Sequence, residues 1–230
     1  HRCRRGGDRM SLSANWIALD WGTTHVRAWA MSASATVLDE RSSDKGMGRL
    51  DPSQFEAALH DLITGWTNGP VTAIACGMVG ARQGWAEAAY SAVPCAPLPD
   101  GLTRAPTQDP DLTVMIIPGL SQDSPADVLR GEETQIAGFL ALNPGWDGVL
   151  CLPGTHTKWV EVSAGEVVSF QTCMTGDLFA AITGHTVLRH STGGTDWDDA
   201  AFDSALADTL SRPEKLAARL FSLRAEGLLQ

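Results

Sequence analysis

Two turns in this sequence set glycine beside threonine between apolar runs: Gly22-Thr23-Thr24, and Gly154-Thr155 followed by His156 and Lys158. A turn of Gly and Thr exposes backbone N–H groups without bulky Cβ atoms, and the hydroxyls add donors, so its concavity suits phosphate oxygens. Two such turns could hold a polyphosphate from both sides. Lys158 would add a point charge there; on pattern alone a solvated strand lysine is equally expected. Asp20 ends the run WIALD just before the first turn. A carboxylate in that place suits Mg²⁺, which dehydrates reluctantly and bridges to substrate phosphates, while a turn-capping aspartate is the commoner alternative.

Phosphoryl transfer to an alcohol also needs a carboxylate that takes the hydroxyl proton. Glu132 and Glu133, in RGEETQ, are the candidates. Acids in the first turn of a helix are favoured by the macrodipole in any case. An anionic acceptor would be met by arginine, whose planar fork binds a carboxylate bidentately. Arg27, Arg82 and Arg130 flank the motifs, although a surface ion pair is the commoner role for any single arginine. Gly46 lies in a glycine-rich loop, and Met78, Val79, Arg82 and Trp85 lie in GMVGARQGW, which follows the apolar run VTAIAC. Ligands of α/β proteins gather at such carboxyl ends of strands.

These residues need elements to hold them. WIALD, VRAWAM and TVLDER read as a meander of three strands. Residues 52–66 have the periodicity of an amphipathic helix, with Phe55, Leu59, Leu62 and Ile63 near one face. VTAIAC and LTVMIIPGL read as buried parallel strands. Residues 93–111 are expected to be loop. A helix is expected over about 127–142, with the two glutamates near its start. GVLCLPGTHTKWVEV and EVVSF form a second meander, and helical patterns dominate from residue 175. Strands mixed with helices give an α/β fold. The plan of strand, Gly-Thr turn, cation and strand occurs twice, an internal echo.

Composition bounds the partners. The chain has 230 residues, 43% hydrophobic and 19% charged, with 17 basic and 27 acidic residues for a net charge of −10. That balance argues against nucleic acid or an anionic membrane as the main partner. No apolar run approaches the roughly 18 residues of a membrane span. The five cysteines, Cys3, Cys76, Cys95, Cys151 and Cys173, form no CxxC pair, and a reducing cytoplasm is the expected setting. Cys76 and Cys151 end apolar runs and are expected to be buried. GxxxxGK[ST] and GxGxxG are both absent, so neither a Walker A loop nor a dinucleotide fingerprint is present.

DWGTTHVRAW, CGMVGARQGW, IIPGL, RGEETQ, PGTHTKWV and MTGDLF, in this order, resemble the blocks of the 2-dehydro-3-deoxygalactonokinase family of actin-like sugar kinases. The resemblance runs from about Asn15 to the end. It implies an actin-like, ribonuclease H-like ATPase fold whose two lobes close over ATP, Mg²⁺ and a small-molecule sugar acid. The acceptor it implies is 2-dehydro-3-deoxy-D-galactonate, phosphorylated at its 6-hydroxyl. It places Asp20, Gly22, Thr23 and Thr24 in a first phosphate loop, Gly154, Thr155, His156 and Lys158 in a second, and Glu132 or Glu133 as the base. Residues 1–14 are expected to be an N-terminal extension, with Met10 a plausible start. Residues 15–143 are expected to form the first lobe, and 144–230 a second lobe cut short at its C-terminus, with no adenosine motif before Gln230. A homodimer is left open. Other readings are a different sugar-acid kinase, a non-catalytic ATP-binding sensor, and a phosphohydrolase of the same superfamily.

Overall fold

The computed structural model describes residues 13–194 and 196–229. Most of the expected N-terminal extension, with Cys3 and Met10, therefore lies outside the described residues. The first meander is β1 (Trp16–Trp21), β2 (Val26–Met31) and β3 (Val37–Ser43), all antiparallel. A 3-10 turn at Pro52–Gln54 leads into α1 (Phe55–Ile63), so the expected helix begins with a tighter turn and ends three residues early. Asp51 and Gln54 form a reciprocal capping box at that start, which satisfies N–H groups that a helix terminus leaves without partners.

β4 (Val71–Cys76) then runs parallel to β1. The next segment carries β5 (Tyr90–Ala92) and the two-residue β6 (Thr103–Arg104), the latter within residues 93–111, expected to be loop. β7 (Leu112–Ile116) returns parallel to β4. The sheet order is β3-β2-β1-β4-β7-β6. An antiparallel meander flanked by parallel strands in this order is the ribonuclease H-like arrangement of actin-like ATPases, as expected. The alternation in β1 sends Ile17, Leu19 and Trp21 to one face, where α1 covers them with Phe55 and Leu59. Trp21, Phe55 and Trp85 meet with ring centroids 5.2–6.0 Å apart.

β8 (Gly119–Asp123) and β9 (Ala126–Leu129) make a hairpin and, with β5, a small sheet. β9 occupies the start of the helix expected from residue 127. The helix, α2 (Glu132–Leu142), begins only after Gly131, whose φ of 104° ends the strand in a conformation that glycine tolerates best. β10 (Gly148–Leu152), β11 (Thr157–Ser163) and β12 (Glu166–Cys173) form the second meander. Its inner side chains, Val160, Val162, Val167 and Phe170, pack in a second core with Leu120, Leu129 and Ile136. Cys151 is exposed rather than buried, because β10 alternates and its Val149–Cys151 face is turned outward. Cys76 is buried as expected.

The chain divides into two compact units: one holds the residues up to 152 with 158–172, the other 153–157 with 173 onward. The second unit carries α3 (Gly176–His185), α4 (Asp199–Ser211) and α5 (Leu216–Leu229). Among the described residues no helix is long and apolar enough to cross a membrane.

Candidate active site

In the larger unit, the carboxyl ends of β1 and β4 converge on the start of α2. A Cβ on Gly77 would lie 2.8 Å from the Trp21 carbonyl oxygen and 3.5 Å from Asp20 Oδ1, and one on Gly131 would lie 3.3 Å from Gly77 Cα. These two glycines let three elements approach at backbone distance. Beside them lies a cleft of about 410 Å³, with Asp20, Arg27, Cys76, Gly131 and Thr134 in its wall. The Asp20 carboxylate accepts from Arg27 Nη2 at 2.5 Å. Arg27 thus sits on the candidate metal ligand, and the neighbouring carboxylate raises its pKa further.

Glu132 and Glu133, adjacent in sequence, have different surroundings. The Glu132 carboxylate lies 3.8 Å from Lys158 Nζ, and its other oxygen accepts the Arg130 N–H at 3.1 Å. Lys158 is 5% exposed, so its ammonium has little water and depends on this partner. Glu133 is fully buried and accepts the Gly131 N–H at 2.6 Å. Burial pushes its carboxyl up to about 7 from an ordinary 4.5, against the pull of backbone N–H groups. Burial also drives the Cys76 thiol up to about 12, with the Asp20 and Glu133 charges adding to the effect.

The first Gly-Thr turn is exposed at Thr23, Thr24 and His25. Its carbonyls are taken by a segment that sequence reasoning did not connect with it: Met47 N–H donates to Gly22 O, Gly48 N–H to Thr23 O and Gly46 N–H to Thr24 O. In the smaller unit the second turn is held in a similar way. Asp177 N–H donates to Thr155 O, Thr175 Oγ1 donates to Gly154 O, and His156 Nε2 lies 3.3 Å from Asp177 Oδ2. A Cβ on Gly176 would lie 2.8 Å from Gly154 O. Thr175, Gly176 and Asp177 are the middle of MTGDLF, so that block had flagged them without giving them a task.

The candidate acceptor residues separate into surface and core. Val79 and Trp85 are buried, and Trp85 donates its indole N–H to Pro106 O while stacking on Phe55. Met78 is half-buried; Arg82 is exposed and pairs with Glu87. Arg130 is 9% exposed, lies over the Tyr90 ring at 4.3 Å and donates from Nη2 to Ala88 O. Its Nε and Nη1 have no hydrogen-bond partner. Gly46 lies against the first Gly-Thr turn. Among the described residues, no group of three or more His, Cys, Asp or Glu side chains could hold a metal ion. A lone Asp20 beside a Gly-Thr turn still fits Mg²⁺, which keeps most of its waters and takes phosphate oxygens as ligands.

The chain matches the model of the family described as 2-keto-3-deoxy-galactonokinase over residues 20–230. It belongs to that family. A Rhizobium meliloti (strain 1021) protein named "Probable 2-dehydro-3-deoxygalactonokinase DgoK1" is 37% identical over 227 residues, covering 96% of this chain and 74% of the relative. The 2-dehydro-3-deoxygalactonokinase of Escherichia coli (strain K12) is 34% identical over 220 residues, covering 95% and 73%. A crystal structure from Sinorhizobium meliloti with the same kinase designation superposes with a TM-score of 0.87 at 38% identity, over 94% of this chain and 72% of that one. The family is one of phosphotransferases, and a kinase of the actin-like type uses ATP and a small-molecule acceptor.

Proposed function

We propose that this protein transfers the γ-phosphoryl group of Mg²⁺-ATP to the 6-hydroxyl of 2-dehydro-3-deoxy-D-galactonate, a step in galactonate breakdown. The observation that carries this reading is the pairing of Glu132 with Lys158 at the start of α2. It joins a proton acceptor to the lysine of the second phosphate motif, in a chain whose relatives bear this kinase's name. Residues 15–143 form the first lobe in this reading, and the second begins at 144.

In the larger unit Gly22, Thr23, Thr24 and Lys158 are assigned to phosphate, and in the smaller unit Gly154, Thr155 and His156 are assigned to phosphate on the same turn chemistry. Asp20 would hold Mg²⁺, which would supply charge neutralisation at the phosphate oxygens. Glu132 takes the proton of the acceptor hydroxyl as its oxygen bonds to the γ-phosphorus and the bond to the ADP oxygen breaks. Glu133 has no access to the hydroxyl and holds the Gly131 turn that presents Glu132. For the acceptor carboxylate, Arg130 is preferred over Arg27 and Arg82, because those two already have carboxylate partners while two Arg130 donors have none.

The test is ADP release coupled to NADH oxidation, with the galactonate-derived acid, its gluconate epimer and a no-sugar control. ADP formed only with the galactonate form supports the reading. Release without sugar would make the protein a hydrolase, and silence with every acid would leave a non-catalytic ATP-binding sensor.

A further inference from the structure

The glycines of residues 44–49 are accounted for by what this loop touches. What it touches is the first phosphate turn, residue for residue. Trp21 donates its indole N–H to Lys45 O at 3.0 Å, and the N–H groups of Gly46, Met47 and Gly48 donate to Thr24 O, Gly22 O and Thr23 O at 3.2, 2.9 and 2.9 Å. Trp21 is itself locked in the aromatic core against Phe55 and Trp85.

We infer that residues 46–48 are a positioning strap for the phosphate turn, acting in ATP binding rather than in acceptor binding; this rests on the reading of Gly22–Thr24 as a phosphate site. In a trans peptide the C=O and the following N–H point in opposite directions. Three carbonyls directed at the strap therefore turn the N–H groups of Thr23, Thr24 and His25 away from it, on the exposed side of the turn. The strap thus leaves three successive donors free on the side away from it, and it brings the His25 amide into the phosphate-binding set. Backbone donors fixed in advance stabilise an anion without reorganising when it arrives.

The glycines follow from contact. Gly46 has φ −69°, open to any residue, yet a Cβ there would lie 2.2 Å from the Thr24 carbonyl carbon and 2.5 Å from His25 N. A Cβ on Gly48 would lie 3.2 Å from Thr23 O and Thr23 Cγ2. The second Gly-Thr turn carries the same device independently. Asp177 N–H takes Thr155 O as Gly48 N–H takes Thr23 O, and Gly176 meets Gly154 O where a Cβ would not fit.

The experiment compares wild type, Gly46→Ala, Gly48→Ala and, as a control, Gly138→Ala, a helical site with open space around it. Each is assayed for Mg²⁺-ADP binding by calorimetry and for both Michaelis constants, with a thermal melt alongside. Gly46→Ala is expected to weaken ADP binding and raise the KM for ATP by about tenfold or more, the scale of one lost hydrogen bond to a charged group. Gly48→Ala should do so less, and the KM for the sugar acid should hold in both. A folded Gly46→Ala protein with unchanged ADP affinity, or with only its sugar-acid KM raised, overturns the strap. Wild type that binds no ADP defeats the phosphate reading and the strap together. If Gly46→Ala does not fold, amide exchange on wild type decides. Met47 and Gly48 amides protected before ligand and further slowed by Mg²⁺-ADP support the strap; unprotected, unresponsive amides overturn it.

Discussion

Side by side at the head of α2, Glu132 and Glu133 have different work because their surroundings differ. Glu132 retains some solvent and faces Lys158, and the base role is proposed for it rather than for its buried neighbour. Glu132→Gln is expected to lower kcat by roughly 10²–10⁴-fold with little change in either Michaelis constant, the range for losing a general base. Steady-state kinetics with a melt to confirm folding checks it. Near-normal turnover would move the role elsewhere. Glu133, with a folded value near 7 against 4.5, binds its proton more tightly folded than unfolded. Its contribution is therefore fully present below about pH 4.5 and is lost as pH rises through 7. Glu133→Gln should flatten the fall in Tm across that window, and melts from pH 4.5 to 8 would show it; an unchanged slope would mean that the carboxyl is already ionised in the folded protein.

At the scale of elements, α1 exists to cover one face of the main sheet, and its stripe Phe55, Leu59 and Leu62 is buried there. Leu59→Ala should cost about 2–5 kcal/mol in urea unfolding, the usual range for a cavity at a fully buried leucine. A cost below 1 kcal/mol would mean that the site collapses around the smaller side chain. Arg130 joins two elements, since it lies at the turn into α2 and reaches the β5 segment through Ala88 O and the Tyr90 ring. Arg130→Lys keeps the charge and removes the planar fork. It should raise the KM for the sugar acid more than it lowers kcat; a lower Tm with an unchanged KM would assign Arg130 to anchoring the loop alone.

For the whole molecule, the two compact units are unequal in core. Buried side chains line β1, β4 and β7, whereas α3, α4 and α5 carry no buried residue. Amides of α4 and α5 should therefore exchange with solvent well before those of the central strands, because protection follows buried apolar contact. Exchange read by mass spectrometry tests this, and equal protection would show a packing of those helices beyond what the described contacts supply. The sequence by itself determined the meander, the buried parallel strands, both Gly-Thr turns and the family, because hydrophobic period and turn chemistry are local properties. It could not place β9, which stands where helical pattern was read, because the positive φ of Gly131 and the pairing with β8 stop the helix from starting earlier. Nor could it separate Glu132 from Glu133, expose Cys151, or join residues 46–48 to residues 22–24. Those outcomes depend on which groups, distant along the chain, share one low-dielectric volume or one hydrogen-bond partner, and only the tertiary structure decided that.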